Sequence, residues 1–229
     1  LNATGAVTQA SAITGNTSVV KNGAGTFTLS QNNTYTGATT INAGTLQVGA
    51  GGTAGTLGTG AVIDNAALVF NRSNALTVAN TISGTGTVTK SGTGTTTLTG
   101  TNTYTGTTTI NAGTLQVGAG GTSGTLGTGQ IIDNAVLSFN RSDALAVANV
   151  ISGTGALTKA GTGALTLSGT NAYAGATTVS AGTLVAGLDY QWYGDRQTLA
   201  DSYVSMKAYS DYLDSRLKDG LLTYGLGDW

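Results

Sequence analysis

The chain has 229 residues, a net charge of −1, 37 glycines, and neither cysteine nor histidine. These counts exclude a disulfide framework, Cys-His or Ser-His-Asp chemistry and a typical zinc site, and the lack of a basic stripe argues against a nucleic-acid partner. Charged residues make up only 8% and every acidic one is Asp, so a paired-carboxylate mechanism would have to use two aspartates. No apolar run approaches the roughly 18 residues of a membrane helix. Leu1 stands where an initiator Met would, no signal peptide is visible, and the chain reads as an internal or processed piece.

From Leu1 onward the chain repeats itself with a fixed period, equal to the step from Leu1 to Phe70. Leu1-Asn2 aligns with Phe70-Asn71 and Phe139-Asn140, Lys21 with Lys90 and Lys159, and Ile41 with Ile110 and Val179. The copies run 1–69 and 70–138, with a partial third from 139 to 187, and no insertion breaks the spacing. A fixed period of this kind marks a stacked array, where one slipped residue would turn every side chain onto the wrong face.

Within each copy, short runs rich in Thr, Val, Leu and Ile lie between Gly-containing turns, the signature of strands. The fold expected is all-β: a parallel β-solenoid with about three coils of about 23 residues per repeat, roughly eight coils over 1–187, and a short C-terminal α-helix. Leu29, Leu98 and Leu167 form one predicted inward column, Ile41, Ile110 and Val179 a second, and Leu46, Leu115 and Leu184 a third. Tyr35, Tyr104 and Tyr173 are placed to cover a corner. The Gly-rich runs at 49–60 and 118–129 read as bulged corners; neither has the G-x-G-x-x-G of a dinucleotide site nor the Asp of a calcium nonapeptide.

Asp64 and Asp133 read as solvated corner residues three coils apart, about 14 Å, too far to share a sugar or an ion. Asp143 reads the same way. Asn42 and Asn111 fit either an amide ladder between coils or a turn role. The competing architecture, an antiparallel sandwich, would need tight hairpin turns, and Asn22-Gly23 supplies the single Asn-Gly pair.

The pattern GTxTLTGxNTYTGxTTINAGTLQVG, at 21–49, 90–118 and 159–187, resembles the passenger-associated transport repeat of bacterial autotransporters. The resemblance implies a right-handed β-helical passenger, exported across the outer membrane and displayed or shed. The repeat would aid secretion and have no catalytic role. A structural or adhesive stalk is therefore expected, with no cofactor, extracellular or at the cell surface. Its partners would be other copies, through the solenoid ends, or host and matrix glycans.

After Gly187 the composition changes: both Trp and six of the nine Tyr lie in residues 188–229, with seven Asp against four basic residues. Residues 196–218 read as an amphipathic helix with Leu199, Tyr203, Met206, Leu213 and Leu217 on one face. Trp192-Tyr193-Gly194-Asp195 and the closing Tyr224-Gly225-Leu226-Gly227-Asp228-Trp229 resemble part of the catalytic domain of α-L-rhamnosidases. That resemblance implies a piece of an (α/α)6 toroid, with Asp228 and Trp229 near a sugar-binding cleft. The family's Asp-Glu-Arg signature and its further catalytic Glu are missing, so the chain is expected to be inactive as an enzyme. An alternative reading is a fragment of a surface-attached glycoside hydrolase.

Overall fold

The structure is a computed structural model. The chain divides at Gly187 into two units, and residues 1–186, all in the first, are described. The expected helix at 196–218 lies outside the described residues.

Among the described residues there are 22 strands, each of two to four residues, and every pairing between them is parallel. Parallel pairing of consecutive short strands requires the chain to travel round a full circuit between partners, so the unit is a β-solenoid and the antiparallel sandwich is ruled out. One face is a continuous nine-stranded sheet running from Val7–Thr8 to Ala172–Tyr173. Nine rungs at the usual ladder spacing span roughly 40 Å along the axis.

The second face carries a six-stranded sheet. The third carries a four-stranded and a three-stranded sheet. Between those two sheets the third face continues without a strand. The Ile82 N–H donates to Asn102 Oδ1 at 2.9 Å, and the Asn102 N–H donates to Thr125 Oγ1 at 2.7 Å.

Coil length follows the turns. Val7 pairs with Phe27 and Val88 with Thr108, both short circuits. Thr108 pairs with Ile131, a longer circuit, because that coil contains the Gly-rich run after Val117. The expected coil length therefore holds only for coils with the bulged corner, and the others are about three residues shorter.

About three coils fill each repeat, with a remainder that matters. Three circuits carry Val7 through Phe27 and Leu46 to Leu68, whereas one period carries Val7 to Leu76. The stretch left over, from Leu68 to Leu76, moves the chain onto the next face. The strand Val7–Thr8 thus lies in the nine-stranded sheet, its counterpart Leu76–Val78 in the six-stranded sheet, and Leu145–Val147 in the three-stranded sheet.

Equivalent residues therefore do not stack in one column. Leu29, Leu98 and Leu167 all point inward and are fully buried, but each sits on a different face. The actual stack is built from different positions, such as Leu46, Leu68, Val88, Thr108, Ile131 and Ile151, all at most 1% exposed. Burying each such aliphatic side chain contributes about 1.5–3 kcal/mol. Val179 departs from expectation at 48% exposed, and Leu184 is half-buried; both belong to the last described coil.

Candidate interaction surface

Most charged side chains of the repeat go inward, contrary to the solvated corners expected for Asp64 and Asp133. Period-2 alternation dictates it: Lys90 lies two residues from buried Val88, and Asp133 two from buried Ile131. Lys21, Lys90 and Lys159 are 0–2% exposed. Each ammonium donates to two backbone carbonyls at a corner. For Lys90 these are Gly92 and Ala112, the latter at 3.1 Å; the other two lysines repeat the arrangement. Burial pushes all three lysines below the usual ammonium range. Their role is to satisfy orphan carbonyls where the chain turns.

Asp64 and Asp133 are both 0% exposed. Asp64 Oδ1 accepts from the Ala66 N–H at 3.1 Å and Asp133 Oδ1 from Ala135 at 3.0 Å. In each the second oxygen is buried without a partner. Burial raises the Asp64 carboxyl to about 6 and shifts Asp133 in the same direction. Gly86 of the next coil lies directly on Asp64, where a Cβ would come 2.3 Å from Oδ1. Asp143 is partly exposed and pairs with Arg141 at 2.6 Å, and that bond holds its carboxyl below the ordinary range.

The tyrosines fill corners from within instead of covering them. Tyr35 and Tyr104 are fully buried, with the hydroxyl 2.7 Å from Thr39 and Thr108 Oγ1. Gly127 passes over the Tyr104 ring at a distance no side chain could share. Asn80 and Asn149 each donate to two glycine carbonyls of the preceding coil. The signal available for them was an Asn at the same place in two successive copies, which composition alone hid. The amide ladder exists as a rung from Asn42 Nδ2 to Asn22 Oδ1 at 2.8 Å; Ser91 occupies the aligned position below Asn111.

What remains outside, among the described residues, is nearly uncharged. Outward rows such as Gln47, Val69, Thr89, Thr109 and Ile132 run along the nine-stranded face. The Gly-rich corners protrude, each clamped by an arginine: Arg72 donates to the Thr53 and Gly55 carbonyls, and Arg141 to that of Gly124. Two equivalent slots of about 300 and 360 Å³ open where the ladder lapses, floored by Val48 and Phe70 or by Val117 and Phe139. Neither slot is lined by a charged residue. No group of three metal-ligating side chains occurs among the described residues, and no described helix is long and apolar enough to cross a membrane. Asp228 and Trp229, the sugar-cleft positions, lie outside the described residues.

The model of the passenger-associated-transport-repeat family matches at residues 19–48, 88–117 and 157–186. The chain carries three passenger-associated transport repeats. Each match starts in a strand bearing a buried lysine, passes a full circuit and ends one face further on, in Thr45–Val48, Thr114–Val117 or Thr183–Ala186. Adhesin BmaC autotransporter of Brucella suis biovar 1 (strain 1330) is 44% identical over 194 residues. That similarity covers 76% of this chain and 6% of the adhesin, so the chain spans a small part of the relative's length. No solved structure matches the chain.

Proposed function

We propose that this chain is a stretch of stalk from a bacterial autotransporter-like adhesin, extended at or shed from the cell surface, whose coils aid export by folding one upon another. The observation that carries this reading is the unbroken nine-stranded parallel ladder through three copies, in which each coil offers the next a finished edge. Stability in such an array is a sum of coil and neighbour terms, so folding can propagate from a formed end. The inward placement of Lys21, Lys90 and Lys159, together with the neutral outer rows, suits a spacer that displays other parts of a longer protein.

Deleting residues 70–138 from the full parent protein tests the export role. The deletion rejoins the chain at an equivalent position and leaves every strand register intact. Surface display should survive with a shorter stalk, while removal of about half a copy should abolish it. Equal display from both deletions would refute templated export. Release of rhamnose from an aryl rhamnoside by the purified chain would instead favour the glycoside-hydrolase alternative; none is expected.

A further inference from the structure

Each full copy seals one carboxyl inside the rod. Asp64 stacks on Ile41, which stacks on Lys21; Asp133 stacks on Ile110, which stacks on Lys90. The lysine is therefore two ladder steps from the carboxyl, roughly 10 Å, with an isoleucine between them. Its ammonium is already engaged by corner carbonyls. From the opposite side, the Gly84 and Gly86 backbone roofs Asp64, and Gly153 and Gly155 roof Asp133. Tyr104 follows on the coil beyond Gly84, close enough that the Asp64 charge helps push its phenol up. Tyr173 follows beyond Gly153 in the same way. Among the described residues no cation pairs with either carboxylate, and one oxygen of each has no donor at hydrogen-bonding distance, the Leu137 N–H near Asp133 offsetting only part of the effect of burial.

We propose that these carboxyls form an acid-operated lock, one in each full copy, so that the rod is sturdier in mildly acid surroundings than at neutral pH. Ionising a sealed carboxyl that has a backbone donor on one oxygen, none on the other and no cation costs free energy only in the folded chain. Asp64 has a folded value of about 6 against an ordinary 3.8. The folded state then holds more protons than the unfolded state between those limits. Stability is fully present below the lower value and is lost as pH rises through the upper one. The buried lysines are shifted downward by burial, the opposite sense, and are common to the native chain and the variant below, so they drop out of the comparison. For Asp64 alone the shift corresponds to about a hundredfold in the folding equilibrium.

Denaturant unfolding of the whole chain at about pH 4.5 and pH 7.5 tests the lock, with the double variant Asp64→Asn/Asp133→Asn alongside. Asparagine keeps the oxygen that accepts from Ala66 or Ala135 and removes the charge. Over this interval the native chain should gain roughly twenty-fivefold in folded-to-unfolded ratio from Asp64 on acidification, with a further gain in the same direction from Asp133, beyond any gain of the variant. The aspartates of 188–229 titrate equally in both chains and cancel. An identical pH response in the two would overturn the proposal. Carbon NMR titration of the aspartate carboxyls gives a second readout that needs no variant. One resonance with a midpoint near pH 6 for Asp64 and a second raised above the ordinary aspartate range for Asp133 support the lock, and all midpoints at or below that range contradict it.

Discussion

The last described coil of the third copy and its counterpart in the second have nearly the same inward residues and very different burial. Ile110 and Leu115 are fully buried, whereas Val179 is 48% exposed and Leu184 half-buried. Tyr104 is sealed, and Tyr173 is not. The strands are equally well formed in both. Local sequence therefore makes the coil, and the following coil makes it a core. In a solenoid, the value of a residue lies largely in its neighbour along the axis.

The largest expected effect of that difference is at the leucines. Leu115→Ala should cost about 2–5 kcal/mol of stability, the range for emptying a packed core position. Leu184→Ala should cost well under half as much, since its site is already open. Denaturant midpoints of the two variants measure the contrast directly.

A smaller effect is expected from Gly127→Ala. The added Cβ would meet the Tyr104 ring and its carbonyl oxygen, so the coil must shift, at about 1–3 kcal/mol. A double-mutant cycle with Tyr104→Ala should recover part of that loss, and strict additivity would show that the ring is not the obstacle.

The smallest contrast is at the hydroxyls. Tyr104→Phe should cost about 1 kcal/mol through the lost bond to Thr108, and Tyr173→Phe less, because water can replace its partner. Thermal unfolding of both variants would resolve this.

Much of the fold was legible in the sequence. Period, strand content, parallel stacking and the inward leucines follow from spacing and alternation. The screw of the repeat was not, because the period divides almost as well into three equal coils as into three shorter coils plus one face. Only the pairing register, which takes Val7 to Phe27 and Val88 to Thr108, decides between them. The buried lysines and aspartates were hidden for a different reason. Charge argues for solvent, and the strand alternation that puts Lys90 beside Val88 and Asp133 beside Ile131 argues for the interior. Alternation won because corner carbonyls and the Ala66 and Ala135 amides were there to receive them. As for partners, a neutral outer surface names none, and the resemblance at Asp228 and Trp229 concerns residues beyond those described.

The central structural claim is that successive copies occupy successive faces. Pairwise spin-label distances test it most directly. Gln47 and Thr109 lie three rungs apart on the nine-stranded face, roughly 14 Å by ladder spacing. Thr40 and Thr109 hold the same position in successive copies but lie on different faces, Thr40 in the four-stranded sheet. The label distance for Gln47 and Thr109 should be clearly the shorter of the two. A shorter distance for Thr40 and Thr109 would mean that equivalent residues stack in register, and the screw would be wrong.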